Sequence, residues 1–174
     1  MTVTEFAVLQ LKPPHTWESP KSRTFFCTLA ERQSAWSGHD LKFFQKADDY
    51  AQIILISGWK CIAAHREWIE SEGNQELLRI ATSEALLDVL SLVHLDIDFG
   101  QIPGEVKFLE IEKYENDGIR GAKESSGPQK LWKVAGRDLE GEPGMSYVFR
   151  GLLAAAPNDA APGRRLHRLR LHSS

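Results

Sequence analysis

The stretch 51–78, AQIILISGWKCIAAHREWIESEGNQELL, constrains the fold more than any other part of the chain. Ile53, Ile54, Leu55 and Ile56 form a short, largely β-branched run after a turn-prone Ala47-Asp48-Asp49, the pattern of an interior strand. Gly58 relieves the backbone at its end, and from Lys60 the period changes. Cys61, Ala64, His65 and Trp68 fall at i, i+3, i+4 and i+7, on one side of a helix, while Arg66, Glu67 and Glu70 face water. A buried strand turning into an amphipathic helix requires a sheet with a helix layer packed on it.

This spacing sets His65 on the inward stripe beside Trp68. A buried imidazole either finds a hydrogen-bond partner in the core or faces a polar cavity, and the sequence leaves both open. Trp68 by itself reads as a core indole.

Residues 4–11 (TEFAVLQL) have the length and composition of a first strand, with Phe6, Val8 and Gln10 on one face and Ala7, Leu9 and Leu11 on the other. Gln10 orients a ligand if its face lines a cavity, and otherwise reaches solvent at a strand end. Pro13, Pro14 and Pro20 mark a stiff loop. A helix is expected over 22–36, stopped by Ser37-Gly38, and a second strand over 40–46 returns as a hairpin into the IILI strand.

Beyond the organising helix, Gly73-Asn74 reads as a break followed by another helical turn or two through Leu77, Leu78 and Ala81. Strands are expected over 89–96 and 106–114, separated by a loop at 100–104. The first 114 residues thus read as βαββαβ with an additional strand. His94, Asp96 and Asp98 have ligand chemistry for a divalent cation, but without a glycine-rich calcium loop or an HExxH helix the set reads as an accident of composition, and strand-end turn chemistry accounts for the aspartates.

From Asn116 the character changes. Gly118, Gly121, Ser125, Ser126, Gly127 and Pro128 read as a flexible connection before a short β pair near 131–134. YVFRGLL at 147–153 faintly echoes IILISGW at 53–59, as a duplicated half would. Residues 154–163 are loop-like, and RRLHRLRLHSS at the end reads as a basic tail. The expected organisation is one domain over 1–115 and a C-terminal extension over 116–174.

Composition narrows the function. In 174 residues with 42% hydrophobic and 26% charged side chains there is material for one ordinary core. A formal net charge of −3 argues against a nucleic-acid partner, and no run approaches the length of a bilayer span. The expectation is a soluble, cytoplasmic protein with no membrane partner. Cys27 and Cys61 lack paired spacing, so neither a disulfide framework nor a zinc site is expected. No G-x-G-x-x-G, P-loop, G-x-S-x-G or paired C-x-x-C occurs.

SGWKCIAAHREWIES at 57–71, with the order of elements around it, resembles the antibiotic-biosynthesis-monooxygenase-like group of the dimeric α/β-barrel superfamily. The resemblance covers residues 4–114 and rests on Gly58-Trp59, His65 and the Trp68-x-x-Ser71 pattern. It implies an α+β, ferredoxin-like βαββαβ fold with helices on one face, two protomers packing their sheets into a barrel. A twin copy would hide the apolar face that the helices leave bare.

For chemistry the resemblance implies a cavity between sheet and helices, taking a small hydrophobic or aromatic molecule, with no bound cofactor and no metal. Members oxygenate polycyclic phenols, cyclise or decarboxylate polyketides, or break down haem. Trp68 stands where the haem-degrading branch keeps a functional tryptophan, but the histidine that branch carries ten residues later is Leu78 here, which leaves no obvious axial ligand and counts against haem breakdown. On this reading His65 is the base or hydrogen-bonding group, Phe6, Trp59 and Trp68 shape the apolar walls, and Gln10 orients a substrate oxygen. Monooxygenase-like chemistry on a phenolic or polyketide-like substrate is weighed against cyclisation or decarboxylation, and against a non-catalytic binding or dimerisation protein on the same scaffold.

Overall fold

The computed structural model describes residues 2–115, 130–141, 144–152 and 164–169, with backbone alone at 130–131 and 164–169. The flexible connection expected around Gly118 to Pro128 and the loop over 154–163 lie outside them.

The chain runs β1 (Val3–Leu11), α1 (Pro20–Ser37), β2 (Lys42–Lys46), β3 (Gln52–Trp59), α2 (Ile62–Glu70), α3 (Glu72–Ser83) and β4 (Leu87–Leu95). These elements pair antiparallel in the order β4-β1-β3-β2, the ferredoxin-like βαββαβ arrangement of an α+β fold. The helices lie on one face. They pack through Phe25, Phe26, Leu29, Trp68, Leu77 and Ala81 onto Ala7, Leu9, Leu11, Ile53 and Leu55. Among the described residues no helix is long and apolar enough to cross a membrane.

The helix after β3 breaks at Ser71 and not at Gly73-Asn74. Ser71 is extended (φ −65°, ψ 150°) and its hydroxyl accepts from the Asn74 amide at 3.2 Å, so it caps the N-terminus of α3 while ending α2. Gly73 is absorbed into the first turn, and α3 runs for 12 residues where the sequence suggested a turn or two. A serine cap at this site outweighs the modest cost of glycine in a helix.

The other face of the sheet is also buried. A twin copy was expected there, but the chain supplies the cover itself. After β4 come β5 (Phe108–Glu115), β6 (Lys130–Arg137), β7 (Met145–Leu152) and β8 (Arg164–Leu169), hydrogen-bonded in the order β8-β5-β7-β6. By position in the chain this repeats the first quartet, with β5 matching β1 and β7 matching β3. The echo between IILISGW and YVFRGLL therefore falls on equivalent central strands.

The two quartets are joined where β8 pairs with β2 on one side and β5 on the other, as Phe43 opposite Leu169 and Leu109 opposite Leu166. The segment read as a basic tail is thus a strand over 164–169, formed by the pairing that two free edges offer more than by its own propensity. At the opposite seam β4 meets the end of β6 through the Leu95–Asp138 bridge, with Asp96 N to Arg137 O at 3.0 Å and Leu139 N to His94 O at 2.8 Å. The eight strands so close around an interior of Phe6, Val8, Ile54, Ile56, Leu109, Ile111, Tyr147 and Phe149. The β6–β7 pair is the short β pair expected near 131–134. Strands from either side of the 115/116 boundary thus hydrogen-bond in one sheet.

Gly58 has a steric role beyond ending a strand. It lies within β3, and a β-carbon there would stand 2.6 Å from the Phe99 ring and 2.8 Å from His39. Only glycine lets the 3₁₀ turn Phe99–Gln101 seat its aromatic ring against the sheet.

Candidate functional site

Strand parity decides which side chains meet the helices. In β1 the helix-side residues are Glu5, Ala7, Leu9 and Leu11, and register places Ser57 of β3 and His94 of β4 directly opposite Glu5. Three polar residues thus form a row across three strands in an otherwise hydrocarbon layer. All are buried: Glu5 is 3% exposed, Ser57 0% and His94 2%.

A buried carboxylate is tolerable only if its lone pairs are met. Glu5 Oε2 accepts from Ser57 Oγ at 2.7 Å, Trp59 Nε1 at 2.8 Å and Gln33 Nε2 of α1 at 2.9 Å. Its second oxygen, Oε1, faces His65 Nε2 at 3.6 Å, beyond hydrogen-bond reach. His65 comes down from α2 onto this row, and its ring stacks on Trp59 at 4.4 Å between centroids with a 21° tilt. Its Nδ1 lies 2.7 Å from His94 Nε2. His94 Nδ1 in turn meets Glu140 Oε2, and the other Glu140 oxygen meets Arg66 at the surface. The Asp138 carboxylate holds the Glu140 backbone, accepting from the amides of Glu140 and Gly141.

Burial drives the His65 imidazole below its ordinary range. The Glu5 carboxylate opposes this, His94 reinforces it and Glu140 opposes it. His65 is therefore neutral near pH 7 and carries a basic lone pair. For Glu140 burial acts upward, but the hydrogen bonds from His94 and Arg66 outweigh it and hold the carboxyl below its ordinary value.

This row borders a cavity of about 220 Å³ between the sheet and α1 to α3. Glu5, Gln33 and His65 form its polar end, Ala7, Leu9, Leu29, Leu55 and Trp68 its apolar wall. The mouth lies between α3 and β4, where Leu78, Val89 and Leu92 are 40%, 52% and 38% exposed. That apolar rim is the surface one expects at the entrance to a hydrophobic ligand site.

Of the residues singled out from sequence, His65 and Trp68 line this cavity, and Trp59 backs it by stacking on His65 and holding Glu5. Phe6 and Gln10 do not join them. The two-residue period turns Phe6 to the opposite face, where it packs against Tyr147 and Phe149 inside the barrel, and Gln10 lies half-buried near the end of that same face, opposite Gln52. His94, Asp96 and Asp98 are dispersed. His94 serves His65, Asp96 pairs with Arg137, and Asp98 accepts from Thr2 and the Gly100 amide. Leu78, at the position where the resemblance would put an axial histidine for haem, is an apolar rim residue without a ligating atom.

Sequence reasoning passed over Glu5, Gln33, Ser57 and Glu140. For Glu5 the signal was present, as a carboxylate one residue into an apolar strand. Gln33 and Ser57 become meaningful only once Glu5 is placed.

No family model matches the sequence, and neither does any curated protein. Solved structures do. An anthrone oxidase-like protein superposes with a TM-score of 0.63 at 10% identity, over 97% of this chain and 92% of its own. A mutant chlorite dismutase from Candidatus Nitrospira defluvii gives 0.54 at 10% identity, over 98% and 92%. These structural neighbours are of the antibiotic-biosynthesis-monooxygenase-like, dimeric α/β-barrel superfamily. The chain shares the α+β, ferredoxin-like fold of these neighbours. Coverage of nearly the whole length on both sides means that the neighbours match this α/β barrel through its second quartet as well as its first.

Proposed function

We propose that this α/β barrel binds a small phenolic or enolisable ketone in the cavity beneath α1 to α3 and removes its acidic proton with His65. One observation carries the reading. Glu5 Oε1 and His65 Nε2, 3.6 Å apart and beyond hydrogen-bond reach of each other, converge at the polar end of an apolar cavity. A ligand hydroxyl placed there donates its one hydrogen to the neutral imidazole, to which the proton then passes. The apolar wall disfavours water and holds an aromatic ring, while Gln33 and Trp59 fix the carboxylate that stabilises the resulting imidazolium.

Once deprotonated, an electron-rich phenolate or enolate can pass electrons to dioxygen without help from a cofactor. This makes monooxygenase-like chemistry the favoured outcome, and the fold shared with an anthrone oxidase-like protein agrees with it. The barrel is complete within one chain, so the pocket does not need a second copy to form.

The test is the ionisation of para-nitrophenol, whose phenolate is coloured. Titrated with wild-type protein, the bound dye is expected to ionise at lower pH than the free dye, and His65→Gln is expected to abolish that shift. Binding in the neutral form, or an equal shift in His65→Gln, would remove His65 from its role.

A further inference from the structure

The cavity explains Glu5 and His65 but leaves His94 and Glu140 unused. His94 is 2% exposed and sits behind His65, away from the cavity lining, and Glu140 sits behind His94 with a side chain 31% exposed. Buried imidazoles in direct contact are expensive unless their protons are ordered, because each ring nitrogen must be matched donor to acceptor.

The order follows from the outer end. Glu140 is paired with Arg66 and its carboxyl is held low, so it is an acceptor. His94 Nδ1 therefore carries a hydrogen for Glu140, which leaves Nε2 as an acceptor in the neutral ring. His65 Nδ1, 2.7 Å from that Nε2, must then be the donor. The last nitrogen, His65 Nε2, is left bare and directed at Glu5 Oε1 and the cavity. The charged groups facing His65 are Glu5 from β1 and, through His94 of β4, Glu140 with its partner Arg66 of α2.

We infer that Glu140 and His94 are positioning residues that fix the His65 tautomer with its base nitrogen toward the cavity, and that they carry its proton to the surface. This rests on the proposed function of the cavity. In the outward step the ligand O–H bond breaks as His65 Nε2–H forms. The Nδ1 proton of His65 moves to His94 Nε2, and the Nδ1 proton of His94 moves to Glu140, which exchanges it with water. Three bonds to hydrogen break and three form, and the ligand is left as an anion. Both rings then hold the reverse tautomer until one proton travels inward. The chain is thus suited to a reaction that gives up a proton early and takes one back later, as oxygenation of a phenolate does when its peroxide is protonated.

The test reads the histidine tautomers directly, by two-bond proton–nitrogen correlation spectra of the full chain labelled with ¹⁵N-histidine, without ligand at neutral pH. Wild type is expected to show His65 and His94 both with hydrogen on Nδ1. In Glu140→Ala the nearest remaining carboxylate is Glu5, so His65 is expected to switch its hydrogen to Nε2. Glu140 is at the surface, and its removal spares the core; Glu140→Asp is expected to restore the wild-type pattern. A hydrogen on His65 Nε2 in wild type, an imidazolium at His94, or no change in Glu140→Ala would overturn the inference. With para-nitrophenol, Glu140→Ala is expected to lose most of the downward ionisation shift while still binding the neutral dye. Should wild type fail to ionise the dye at all, the cavity's proposed function fails, and the ligand-free tautomers still decide the relay.

Discussion

The two faces of β1 and β3 are built from the same strands, are equally buried, and differ in kind. The barrel side centres on Phe6, Val8, Ile54, Ile56 and Phe149, with Thr4 and Gln10 as its polar residues at the two ends of β1. The helix side carries Glu5, Ser57, His65 and His94 in contact beside a cavity. Burying polar groups costs free energy even when every bond is made, and a domain seeking only stability would fill this row with leucine. Both sides hold the molecule together, but the helix side also buries a polar row beside a cavity.

Breaking the barrel side should have the largest effect. Phe149→Ala removes a fully buried ring and is expected to cost about 3–5 kcal/mol in guanidinium unfolding. Next comes the polar row. Glu5→Leu takes the acceptor from the Ser57 hydroxyl and the Trp59 indole and leaves Gln33 only its bond to Ser57; it is expected to cost about 1–3 kcal/mol, with a change in Trp59 emission that Phe149→Ala does not produce.

The pH dependence sharpens the contrast further. His65 is held below its ordinary value, so below about pH 6.5 the unfolded chain binds a proton that the native state refuses. Stability is full above that pH and falls as pH drops through it. His65→Gln should flatten this limb of the profile, measured as unfolding midpoints across pH. A surface pair gives the lower bound: Lys12→Ala loses an exposed bridge to Asp88 and should cost less than about 1 kcal/mol.

Much of the first quartet was legible because its cues are local. The strand-to-helix change of period at Lys60 locates α2, and the alternation in TEFAVLQL separates the two faces of β1 correctly. Which face meets the helices was not legible, because both are covered and so both read as apolar. Phe6 and Gln10 were therefore set on the cavity side when they lie on the barrel side. Glu5 was visible as a charge in an apolar strand, but its meaning depended on registers that bring Ser57 and His94 beside it, across 52 and 89 residues of sequence.

The second quartet was hidden for a related reason. Residues 164–169 lack the β-branched run of a strand, and they become one by pairing with two edges far away in sequence. The faint echo between residues 53–59 and 147–153 was the available clue to a repeated strand order, but seven residues do not specify the sheet to which they belong.

The most direct test of the division between the faces is a titration of β-naphthol followed in the indole and histidine region of the proton–nitrogen spectrum. The account predicts shifts at Trp59, Trp68 and His65, and none at Trp132 on the second quartet. Shifts centred on Trp132, or none anywhere at millimolar β-naphthol, would contradict it.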